Sequence, residues 1–158
     1  MKYKGQVVKG KNQEIIPIPR EGGDIIFIAN AVKSWDEFEN LVPEPEVPVL
    51  LKPGGKKVED KNDPQYKKAV DKYNELRTHY IVLTSIKDTP DVEWETVDFG
   101  KPETWHNYRQ ELLDSDFSDI EIGRIMVGVM RANSLDENMI DEARSNFLHG
   151  QQGSDKPD

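Results

Sequence analysis

The chain has 158 residues, enough for one domain with a real core and too few for two substantial ones. Hydrophobic residues make up 35% and charged residues 32%; no cysteine is present, which excludes disulfides, thiolate metal sites and cysteine nucleophiles and suits a reducing compartment. The net charge of −9 is uneven: residues 1–60 hold 9 basic and 10 acidic groups, residues 61–158 hold 12 and 20. The second part repels phosphate backbones, so no nucleic-acid partner is expected.

Lys2, Lys4, Lys9 and Lys11 form a small basic arm with no acid among the first twelve residues. No apolar stretch follows them and no run approaches the length of a bilayer span, so neither secretion nor a membrane partner is expected. Two β-branched runs, 14–19 and 24–29, flank Arg20-Glu21-Gly22-Gly23 and predict a β-hairpin. Pro17 and Pro19 cannot donate to a ladder, which makes the first run an edge strand. A hairpin alone is marginal in water and must lean on a helix or a partner.

Ser34-Trp35-Asp36-Glu37 has the serine-to-glutamate spacing of a capping box and opens a short helix over 34–41, with Trp35, Phe38 and Leu41 on one face. Pro43, Pro45, Pro48 and Pro53, then Gly54-Gly55, predict an extended linker over 42–62. Asp63-Pro64 pairs a cap acceptor with a proline where no N–H is needed, and predicts a helix running to about Ile86. Within it Tyr66, Tyr73 and Tyr80 recur every seven residues, with Ala69, Leu76 and Leu83 at the complementary positions. That is an a/d seam under three heptads long; packing within the chain is its ordinary explanation, an intermolecular coiled coil the sharper one. Tyrosine hydroxyls need wet or polar outlets, which argues for partial exposure.

Asp91 to Phe99 predicts a short strand or extended connector. Pro102 opens a helix carrying Trp105, Tyr108 and Leu112; capping boxes at Ser118 and Ser134 open two more. Trp94 and Trp105 are expected inside, Trp35 nearer the surface. Met126 and Met130 lie four apart on the Ser118 helix, where core is the default role and an adaptable binding face the alternative. Residues 149–158 lack apolar content and predict a disordered tail.

No constellation of reactive residues assembles. His79, His106 and His149 lack metal-binding spacing, and Asp88, Asp91, Glu93 and Glu95 lack the glycine-turned frame of a calcium loop. No cofactor, metal or catalysis is expected. The fold class expected is mainly α: a small N-terminal β-hairpin with a short helix over 1–41, a proline- and glycine-rich linker over 42–62, a helical C-terminal domain over 63–148, and the tail.

One resemblance adds to this. It is carried by Ile81-Val82-Leu83-Thr84-Ser85-Ile86, Val92-Glu93-Trp94-Glu95-Thr96-Val97, Pro102-Glu103-Thr104-Trp105, Phe117-Ser118-Asp119-Ile120-Glu121-Ile122, and Ala143-Arg144-Ser145-Asn146-Phe147-Leu148. The block from Tyr80 to Leu148 resembles bacteriophage tail assembly chaperones and allied tail-region proteins. The resemblance implies a protein of the infected bacterial cytoplasm that binds the hydrophobic tape-measure protein and helps recruit tail-tube subunits, without catalysis. Tyr66, Tyr73, Tyr80, Met126 and Met130 are then the expected binding residues. A virion structural protein of tail, neck or head is the alternative, and an acidic DNA-mimic inhibitor of a host protein is a third reading.

Overall fold

Strand-forming and helix-forming segments alternate along the chain and gather into two interleaved units. The computed structural model describes residues 1–8, 12–134 and 137–152, with the side chains of 139, 143 and 147–152 excepted. The first unit comprises Met1–Ala31, Ser85–Asp91 and Asp119–Asp158; the second comprises Val32–Thr84 and Val92–Ser118. The division at 41, 62 and 148 is thus one of sequence segments, whereas each unit is assembled from stretches that are not contiguous.

The fold is mixed α/β, not mainly α as expected: among the described residues about 45% are helical and 17% are strand, in five helices and three two-stranded sheets. In the first unit, a minimal hairpin pairs β1 (Lys2–Tyr3) with β2 (Gln6–Val7). Its turn residues Lys4 and Gly5 both have positive φ, 49° and 80°, as a type I′ turn demands. The larger hairpin pairs β3 (Gln13–Ile18) with β4 (Ile25–Asn30), in register from Gln13 opposite Asn30 to Ile18 opposite Ile25. Alternation puts Ile16, Ile18, Phe27 and Ala29 on a buried face, and leaves Ile15 and Ile26 exposed on the other.

Helix α4 (Asp119–Ala132) covers that buried face. It buries Ile122, Ile125, Val129 and Ala132, a stripe at helical spacing. Gly128 sits within the stripe because a Cβ there would overlap Cδ1 and Cγ1 of Ile16. The last carbonyls of α4 are satisfied from far along the chain: Asn12 Nδ2 donates to Ala132 O at 2.6 Å and to Arg131 O at 3.2 Å. Ser134 does not open the next helix as its spacing suggested. It sits at φ 56°, and its N–H donates to Arg131 O, so it is the left-handed residue that closes α4. Helix α5 (Glu137–Gln152) then extends into the segment expected as a disordered tail. Gly150 lies within it, a residue tolerated in a helix at about 1 kcal/mol against alanine. Residues 153–158 lie outside the described residues, as do Lys9 and Lys11 of the basic arm.

The second unit is built on α2 (Pro64–Ile86) up to Thr84, and the helix bounds match the expectation. Asp63 Oδ1 accepts from the Tyr66 N–H at 2.8 Å, with Pro64 at the first helical position. Helix α1 (Asp36–Leu41) follows Ser34, whose hydroxyl accepts from the Asp36 N–H at 3.1 Å. The stretch expected as a linker folds: β5 (Val49–Lys52) pairs with β6 (Lys56–Glu59). Pro48 and Pro53 bound the strand instead of interrupting it, so they do not break its ladder. Gly55 N–H donates to Lys52 O at 3.1 Å, and Gly54 takes φ 89°, closing a type II turn with Pro53 at its second position. A 3₁₀ turn, Pro102–Thr104, leads into α3 (Asn107–Asp114). Asp116 at φ 61° ends α3 in a Schellman motif, with bonds from its N–H to Leu113 O and from Phe117 N–H to Leu112 O.

Candidate protein-binding surfaces

The tyrosine stripe divides by depth. Tyr80 is 4% exposed, and its ring lies against Trp35, Phe38 and Trp105, with centroids 5.4 to 5.9 Å away. Burial, the first cause, pushes its hydroxyl above the ordinary tyrosine range. Tyr73 is half-buried and meets Phe38 edge-on at 5.3 Å. Tyr66 is half-buried in the first turn of α2. Of the complementary positions Leu83 is buried, Leu76 half-buried and Ala69 exposed, so the seam fades toward its N-terminal end. Tyr73 also lines a hollow of about 240 Å³ with Trp35, Phe38, Glu39, Glu44 and Arg77. There the Arg77 guanidinium stacks over the Trp35 ring at 4.3 Å.

Trp105 is buried as expected, and its indole N–H donates to Phe99 O at 3.2 Å. Trp94 is only half-buried, its ring 6.4 Å from that of Tyr108. The connector carrying Trp94 is no strand; Glu111 holds it. One Glu111 carboxylate takes the N–H groups of Glu95 at 2.9 Å and Thr96 at 2.7 Å, and also the Thr96 hydroxyl. Burial raises the Glu111 pKa, yet hydrogen bonds from Thr96, Glu95 and Val97 together outweigh it and keep the group below its ordinary value. Glu93, Glu95 and Asp114 share with it a hollow of about 520 Å³. Its best-placed acid is therefore committed to structure.

In the first unit, Met126 is half-buried at the margin of the packed stripe, while Met130 is 46% exposed. Beside Met130 stands Val127, 47% exposed and missed by the sequence reading, on a helix face that turns away from Ile122, Ile125 and Val129. Val127 lines a groove of about 420 Å³ with Arg124, Arg131, Glu14, Ile15 and Pro17 among others. On the α4 side of this groove Gly128 gave the sequence signal, as a small residue in an otherwise bulky apolar run. The second unit exposes more: Val49, Leu50 and Leu51 of β5 are 54%, 50% and 74% accessible. Among the described residues, no group of three or more histidines or acids is placed to hold a metal, and no helix is long and apolar enough to cross a membrane.

Compared with known protein families, characterised proteins and solved structures, the chain matches none.

Proposed function

We propose that this chain is a non-enzymatic tail assembly chaperone of a bacteriophage, which binds the tape-measure protein and helps recruit tail-tube subunits in the cytoplasm of the infected cell. One observation carries the protein-binding part: three consecutive large aliphatic residues, Val49, Leu50 and Leu51, stay accessible on a two-stranded hairpin in which only Val58 is half-buried. Such surface is a signature of protein contact. The resemblance of Tyr80 to Leu148 narrows the partner to tail proteins, and the charge of −9 would keep a complex with an apolar client dispersed. In the second unit Tyr66 and Tyr73 present reachable surface for a client while Tyr80 is buried; in the first unit, taken by itself, Met130 is exposed and Met126 half-buried.

Co-expression with the tape-measure protein of the same phage tests the reading. The client should stay in the supernatant with the chain and pellet without it. A client equally insoluble in both cases sinks the proposal. The second reading, a virion structural protein, is favoured by the same β5–β6 hairpin, which has the form of an interlocking arm. Mass spectrometry of purified particles separates the two, because a chaperone is abundant in lysate and nearly absent from particles.

A further inference from the structure

The hairpin β3–β4 is treated differently along its two edges. On the β4 side the main chain is occupied: Ile28 N–H donates to Thr89 Oγ1 at 3.0 Å, and the Thr89 hydroxyl donates to Ile28 O at 3.3 Å. Ile28 therefore faces away from β3. Ala31 N–H donating to Asn12 O at 3.0 Å sets the same alternation from the open end. Antiparallel pairing requires that Ile15, directly opposite Ile28, turn its own N–H and C=O the other way, toward the outer edge of β3. Pro17 shares this phase, so its missing N–H removes nothing from the ladder. Among the described residues no strand pairs with that outer edge.

The space beside the edge is a groove lined by residues of β3 and α4. Arg124, Val127 and Arg131 rise from α4 beyond β3 and form, with Ile15 and Pro17, the groove of about 420 Å³. Val127 at 47% exposed and Ile15 at 53% are the apolar floor and rim that a third strand would cover. The charge is opposite to that of the chain as a whole: two arginines stand here against one glutamate, Glu14, which lies 3.9 Å from Arg131. A second copy pairing through the same edge would bring these arginines against their own kind, which disfavours it.

We propose that the outer edge of β3 accepts one extended segment of a partner protein as a third strand, an acidic segment with an apolar residue seated on Val127. Backbone bonds to Ile15 supply register-independent affinity, and Arg124 and Arg131 select carboxylates on the strand face turned toward α4. Those arginines are seven residues apart, about 10.5 Å along the helix. Carboxylates four apart on a strand span about 13 Å, a difference that arginine and glutamate side chains absorb. The inference rests on the reading that this chain binds protein, and it supplies the place and the chemistry.

The test uses the full chain and a capped heptapeptide, Thr-Glu-Thr-Val-Thr-Glu-Thr, with a lysine-for-glutamate control. Amide resonances of Ile15 and Val127 should shift and saturate at millimolar peptide, and the lysine peptide should bind about tenfold or more weakly. Ile15→Pro removes the outward N–H without touching a ladder bond, and should abolish the shift at Val127 while the melting temperature holds. Should that variant fail to fold, Arg124→Glu with Arg131→Glu reverses the charge at the surface and should invert the preference between the two peptides. Absence of shifts at Ile15, equal binding of both peptides, or a dimer of the chain that Ile15→Pro dissolves would each overturn the proposal. The tape-measure assay keeps the two readings apart. A client held soluble by wild type and Ile15→Pro alike removes the edge and leaves the chaperone; peptide binding at Ile15 with no effect on the client does the reverse.

Discussion

At the scale of single residues, the sharpest constraint is Gly128. Alanine there improves helix propensity by about 1 kcal/mol, but its Cβ overlaps the buried Ile16 side chain. Overpacking of this sort costs about 1–3 kcal/mol, so Gly128→Ala should destabilise in urea titration, and adding Ile16→Val should restore part of the loss. Tyr80→Ala should lose about 3–5 kcal/mol, the range for a fully buried ring, while Tyr66→Ala, at a half-buried position, should lose much less. Equal losses at both would show a seam sealed along its whole length. His79 offers a pH test. Burial is the main cause holding its pKa below the ordinary value of 6.5; Glu75, 3.5 Å from Nε2, pulls the other way and loses. A folded-state pKa below the unfolded one means the unfolded chain takes up the proton first. Stability from this group is therefore complete above pH 6.5 and declines as pH falls through the lowered value. His79→Gln should flatten that part of a melting-temperature profile, and an unchanged slope would assign it to other groups.

At the scale of elements, legibility followed the length of the signal. Helix α2 was legible to both ends because Asp63-Pro64 and a long periodic run agree, and hairpin β3–β4 because two β-branched runs flank glycines. The β5–β6 hairpin was hidden by four prolines read as a linker, although two of them only bracket the Val49–Lys52 run. Pairs as short as Lys2–Tyr3 and Gln6–Val7 carry no periodicity at all. Ser134 has the spacing of a cap, but α4 claims it first as its own left-handed terminus. The groove beside β3 was illegible for a different reason: exposure of Val127 depends on which strand is absent next to Ile15, a tertiary fact. Pro17, a mark of an edge, and Gly128, a small residue in a bulky run, only hinted at it. The Schellman end of α3 makes a test at this scale. Asp116 holds φ 61° without being glycine. Relief of left-handed strain, about 1–2 kcal/mol, exceeds the extra chain entropy of glycine, about 0.5–1 kcal/mol. Asp116→Gly should therefore raise the denaturation midpoint slightly, and a clear fall would mean the aspartate side chain holds the turn.

At the scale of the whole molecule, the interleaving matters more than any one contact. The buried face of β3–β4 has its cover in α4, and Asn12 reaches across the sequence to close that helix. A chain cut after Ser118 keeps every residue of the second unit but deprives Ile16, Ile18, Phe27 and Ala29 of α4. Such a fragment should bind a hydrophobic dye and lose dispersion at those four residues, because a two-stranded hairpin is marginal alone. Synthesis runs in the same order. The hairpin leaves the ribosome first, its cover starts only at Asp119, and at about 5–20 residues per second the wait is roughly 5–20 s. Through that interval the nascent chain carries the apolar sheet face without α4, the helix that covers it in the folded protein. A protein proposed to shelter another's apolar surface therefore passes through a stage in which its own needs sheltering, by the ribosome surface or by holdases.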